Sequence, residues 1–186
     1  MRKRTALVAM LVGAIAVLAI GSYATAESGK KNVKTGPMSG YLEGIGATGG
    51  GPVSSGAIGS FEASIGDAQL DYTLSYSGLE ADVTQAHIHF GQRSVNGGIS
   101  AWLCGTAGLP GPTGTPLCPG ARAGDISDTI VAADVIGPTG QGIAPTEFAE
   151  LVAAIRAGRA YANVHTTKFP GGEIRGQIND SDQRDD

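Results

Sequence analysis

Leu70-Asp71-Tyr72-Thr73-Leu74-Ser75-Tyr76 alternates a large apolar or aromatic residue with a small polar one at every step. A period of two puts Leu70, Tyr72, Leu74 and Tyr76 on one face of an extended chain and Asp71, Thr73 and Ser75 on the other, the pattern of a strand buried on one side. Working outward, residues 83–90 place Ala86, Ile88 and Phe90 on one face, residues 99–104 read as a further strand, and residues 126–136 are β-rich through Ile130, Val131, Val135 and Ile136. Residues 160–166 and 173–179 form a strand pair across Thr167-Lys168-Phe169-Pro170-Gly171-Gly172, whose Pro and Gly punctuate a long hairpin turn. Residues 44–59, rich in Gly and Ser, are expected as loop or irregular edge strand. One short helix is expected at about 145–157: Phe148, Leu151, Val152 and Ile155 make a single stripe, Pro145 suits a first turn, and Gly158 suits the stop. Many short strands with one helix predict a mainly β domain, a sandwich or a partly closed barrel.

The ends of the chain bear on its compartment. Arg2, Lys3 and Arg4 precede an uncharged apolar run at 6–20, and Ala24-Thr25-Ala26 supplies a small-x-small cleavage site. The run is short of the ~20 residues of a spanning helix, so residues 1–26 read as a Sec-type signal peptide and no membrane span is expected after cleavage. The mature chain then starts at Glu27, with a flexible leader at 27–40, one domain at 41–179 and an acidic tail at 180–186. Cleavage leaves 10 basic residues against 17 acidic ones, with no basic stripe and few aromatics, which excludes nucleic acid as an expected partner. Cys104 and Cys118 flank 13 residues that include four Gly and three Pro. In an oxidising compartment such an isolated pair reads as a disulfide clipping a loop that has no core of its own.

Polar chemistry collects on strand faces. Opposite Ala86 and Ile88 lie Gln85, His87 and His89; opposite Ala162 and Val164 lie Tyr161, Asn163 and His165; opposite Ile174 and Ile178 lie Glu173, Arg175 and Gln177. All three histidines of the chain fall on these faces. Two readings stand side by side. His87, His89 and His165 could form a three-nitrogen site for copper or zinc, losing its ion as the imidazoles protonate below pH ~6.5. Alternatively, they join Asn163, Glu173, Arg175 and Gln177 in a hydrogen-bonded network that pins register. No Gly-x-Ser-x-Gly elbow occurs, and the glycines at 46–51 lack the Gly-Lys-Ser/Thr ending of a phosphate loop, so no catalytic residue is assigned.

Ala86-His87-Ile88-His89-Phe90-Gly91 and the segment from Tyr161-Ala162-Asn163-Val164-His165 through Pro170-Gly171-Gly172-Glu173-Ile174-Arg175-Gly176-Gln177 closely resemble the two signature segments of the CHRD domain, the module named after chordin. The resemblance implies an immunoglobulin-like or Greek-key β-sandwich or partly closed barrel, periplasmic or extracellular, acting as a non-enzymatic binding or interaction module toward an unknown ligand. The Cys104–Cys118 loop departs from the common pattern. Chordin's Cys-rich repeats are absent, so growth-factor antagonism is not carried over. The His-x-His plus distant His also resembles Cu/Zn superoxide dismutase, but this chain has no fourth histidine to complete a dismutase copper site.

Overall fold

The computed structural model describes residues 31–35, 38–39 and 53–180. The stretch read as a signal peptide, much of the Gly-rich segment at 44–59 and residues 181–186 of the acidic tail lie outside the described residues. In chain order the elements are β1 (Lys31–Thr35), β2 (Met38–Ser39), β3 (Ile58–Ile65), β4 (Gln69–Ser77), β5 (Val83–Phe90), β6 (Gly98–Cys104), β7 (Gly124–Val131), α1 (Phe148–Arg156), β8 (Ala160–Thr166) and β9 (Ile174–Asp180). The strands make one antiparallel sheet in the order β6-β5-β8-β9-β1-β3-β4-β7, with β2 pairing both β3 and β9. The sheet curls into a nearly closed barrel, the second of the two architectures expected. Two bonds draw its open sides together. The Tyr72 hydroxyl donates across the interior from β4 to the Leu103 carbonyl of β6 (2.5 Å), and Ile136 N–H, just after β7, donates to Ser100 O of β6 (2.9 Å).

β4 behaves as its alternation dictates: Leu70, Tyr72, Leu74 and Tyr76 are buried, and Asp71, Thr73 and Ser75 face outward. β3 follows the same rule with Phe61, Ala63 and Ile65 inward. Residues 31–35, expected within a flexible leader, instead form a strand between β3 and β9. Val33 and Thr35 fill an inward row while Asn32 and Lys34 stay exposed, and Thr35 Oγ1 accepts the Phe61 N–H (3.1 Å). β7 stops at Val131 rather than near residue 136, because Asp134 Oδ2 accepts the Val131 N–H (2.8 Å) and turns the chain. α1 starts at Phe148, three residues past Pro145. Thr146 takes a positive φ of 71°, and the Glu147 carboxylate accepts the Ala144 N–H (2.7 Å), so the turn ahead of the helix is settled before its first residue. Phe148, Leu151, Val152 and Ile155 are buried in the same core as the strands, each worth about 1.5–3 kcal/mol of transfer free energy if fully buried. Gly158 takes the left-handed conformation (φ 63°) that ends the helix.

Candidate metal centre

The pairing register decides which polar residues meet. β5 against β8 sets Gln85 opposite His165, His87 opposite Asn163 and His89 opposite Tyr161. β8 against β9 sets Asn163 opposite Arg175 and Tyr161 opposite Gln177. The face that parity assigns to these residues points away from the barrel core, yet it is not wet: His87, His89 and His165 are 0%, 2% and 3% exposed. A roof of two loops covers it. Arg175 donates to Gln92 O and Val95 O (3.2 Å each), Gln177 to Gly91 O (2.9 Å), and the Tyr161 hydroxyl accepts the Gly97 N–H (3.1 Å), all holding the loop between β5 and β6. Asn163 donates to Gly171 O (3.3 Å), holding the turn between β8 and β9. Trp102 of β6 closes the flank, edge-on to His87 with ring centroids 4.3 Å apart.

The same two loops set the tautomers of the histidines. His89 Nδ1 lies 2.9 Å from Gly97 O, and His165 Nδ1 lies 2.9 Å from Pro170 O. A carbonyl only accepts, so both Nδ1 atoms carry their protons there and each ring offers an unprotonated Nε2. His87 Nδ1 stands 3.1 Å from His165 Nε2, so in the ion-free protein His87 donates that proton. His87 Nε2 and His89 Nε2 are buried and have no hydrogen-bond partner. One ligand nitrogen from each of the three rings falls within 4.8 Å of the others. Nitrogens bound to one ion at 2.0–2.1 Å lie roughly 3–4 Å apart, so the rings need only small rotations to share an ion. A histidine ligand ordinarily donates its other N–H to a backbone carbonyl or carboxylate, the arrangement that Gly97 and Pro170 supply.

Electrostatics keeps the rings in the ligating form. Burial pushes His87 down to about 2, with His165 and then His89 beside it adding to the shift. Burial likewise brings His89 to about 3, opposed by its bond to Gly97 and helped by His165 and Arg175. His165 falls to about 4 through burial, opposed by its bond to Pro170. Three neutral imidazoles, each with an unprotonated Nε2, are a donor set suited to copper or zinc.

Of the polar residues expected to cluster, Asn163, Arg175 and Gln177 build the roof. Glu173 does not join Arg175 or the histidines. Its carboxylate accepts from the Ser55 hydroxyl (2.7 Å), the Glu80 N–H (2.8 Å) and the Thr166 hydroxyl (2.9 Å), pinning residues around 55 and 80 to β8. Tyr161, which parity put on this face but which was not named in the cluster, and Trp102, which the sequence reading missed, also contribute. Tyr161 stacks on His89 (4.8 Å, planes 3° apart) and carries the Arg175 guanidinium carbon 3.5 Å from its ring centroid. Trp102, opposite His87 in the β5–β6 register, is the single tryptophan of the chain, and that pairing is the signal that could have found it. Cys104 and Cys118 sit at disulfide distance with Cα atoms 5.0 Å apart, closing the loop that follows β6.

Comparison with curated proteins and with solved structures returns no match. The family model described as "CHRD domain" matches residues 42–178, most of the chain and all of the histidine face. With the β architecture and both signature segments on adjacent strands, the chain belongs to the CHRD domain family.

Proposed function

We propose that this domain is a non-enzymatic binding module working outside the cytoplasm, and that the ligand its polar face is built to hold is a copper or zinc ion on His87, His89 and His165. One observation carries the reading: two loops are bonded to the ring Nδ1 atoms of His89 and His165 and His87 donates to His165 Nε2, which leaves His87 Nε2 and His89 Nε2 buried and unprotonated with nothing to accept from, in a cluster whose three rings each offer a nitrogen within 4.8 Å of the others. A network serving only to pin register would satisfy those nitrogens, since an unpartnered buried acceptor costs about 1–3 kcal/mol. The test is elemental analysis of untagged protein, followed by titration with copper and with zinc. One ion per chain is expected in the wild type. His165→Ala, which leaves the Pro170 carbonyl to be solvated, should lose at least about 100-fold in affinity, since each lost ligand removes several kcal/mol. A wild type that takes up no stoichiometric ion would reduce the cluster to scaffold. Membership of the CHRD family supports the binding role, and the paired cysteines are compatible with an oxidising compartment. Export by the signal peptide at 1–26 should yield a mature chain beginning at Glu27. Mass spectrometry finding the intact Met1 chain in the membrane fraction would reject that processing.

A further inference from the structure

The surroundings of the three histidines set a preference among ions. The ligands are neutral, and the protein charge that acts on them is positive: the Arg175 guanidinium lies over Tyr161, and Tyr161 stacks on His89. Among the described residues the one buried carboxylate is Glu173, and its oxygens are engaged by Ser55, Thr166 and the Glu80 backbone. The ring edges are closed over by Trp102 and by the Gly97 and Pro170 loops, which leaves the centre dry.

An ion entering such a site gives up its hydration shell, at an electrostatic cost that grows with the square of its charge. A divalent ion therefore faces about four times the penalty of a monovalent one. Ordinary divalent sites offset it with carboxylate or thiolate ligands, or keep an open position for water. This centre has neither an anionic ligand nor a wet side, and its nearest fixed charge repels cations. Monovalent copper has a filled d shell, accepts three nitrogen donors as a complete coordination set, and needs no water. Resting on the metal-binding reading above, we infer that the centre selects monovalent copper over divalent copper and zinc and holds it as a dry three-nitrogen complex.

The experiment is an anaerobic titration of untagged full-length protein with Cu(I) buffered by a chromogenic chelator. Parallel arms use Zn(II) and Cu(II), each against a chelator of known affinity. Trp102 is the single tryptophan and touches His87, so its fluorescence reports occupancy of this centre rather than stray surface binding. The expected result is one Cu(I) per chain with tryptophan quenching, held at least about 100-fold more tightly than Zn(II). Arg175→Met should narrow that ratio by removing the repelling charge; the comparison of ions on the wild type decides the question even if this variant fails to fold. Zn(II) or Cu(II) bound with quenching as tightly as Cu(I) overturns the selectivity while the histidine centre stands. No ion bound in any arm removes the metal reading itself, and the selectivity with it.

Discussion

At the scale of single residues, the site depends on a glycine that carries no chemistry. Gly172 adopts φ +115°, and a Cβ there would lie 2.2 Å from Asn163 Oδ1. Gly172→Ala therefore combines a backbone conformation costing about 1–3 kcal/mol with displacement of the Asn163 amide that holds Gly171. The expected outcome is a lowered urea midpoint together with weakened metal uptake, because Pro170 O, the partner of His165 Nδ1, sits in the same turn. An alanine variant with wild-type midpoint and affinity would show that the turn does not govern the site. This scale also marks the limit of what could be read from the chain. That His87, His89 and His165 share a face follows from parity, since side chains two apart on a strand point the same way. That Gly97 and Pro170 aim carbonyls at two of them does not, because backbone acceptors are the same in every residue and only the loop path selects them. Glu173 shows the converse: parity grouped it with Arg175 and Gln177, yet its carboxylate turns to Thr166 and to residues 55 and 80, segments whose approach no strand pattern encodes.

At the scale of elements, β4, β5 and β8 were legible, β5 and β8 to their observed limits, whereas β3, with Phe61, Ala63 and Ile65 alternating in the same way, was not assigned beside its Gly- and Ser-rich approach. The departures have local causes. β1 was hidden because a short strand with two lysines looks like leader until a neighbouring edge gives Val33 and Thr35 a row to fill. β7 and α1 were read too long because a hydrophobic pattern does not show where a carboxylate will cap a backbone N–H, as Asp134 and Glu147 do. The clipped loop after β6 invites a test at this scale. It carries little core of its own, with Leu109 and Leu117 exposed, and its neck is held by Gly105 N–H to Pro116 O and Cys118 N–H to Gly105 O. Linking Cys104 to Cys118 restricts the unfolded chain over about 15 residues, worth roughly 3 kcal/mol in the chain-entropy account. Reduction, or a Cys104→Ala/Cys118→Ala pair, should therefore lower the unfolding free energy by about that amount and leave the barrel folded. Two free thiols found by alkylation of exported native protein would contradict the link.

For the whole molecule, the buried histidines make stability a function of pH with a definite sign. Each imidazole is neutral in the fold with its value depressed, to about 2 for His87, 3 for His89 and 4 for His165, and returns to about 6.5 when the chain unfolds. Between those limits the unfolded chain binds protons that the fold refuses, so unfolding becomes more favourable as pH falls. The contribution is absent above about pH 7, begins near 6.5, and grows by about 1.4 kcal/mol per pH unit for each neutral ring until its own folded value is reached. Three rings together take roughly 4 kcal/mol per unit, against a total of about 5–15 kcal/mol for a typical domain. The ion-free protein should thus unfold in acid before His165 can be protonated in place. Affinity for metal follows a different curve. The folded ligands are already in the binding form, so the ion should not be lost near pH 6.5, where exposed histidines would release it. It should be retained while the fold survives, and an occupied site should push the acid transition to lower pH by mass action. Urea unfolding at about pH 7.5, 6.5 and 5.5, with and without copper, measures both effects. His165→Gln should remove about a third of the ion-free slope. A stability independent of pH across this range would show that the imidazoles titrate freely in the fold, and the dry centre described here would not exist.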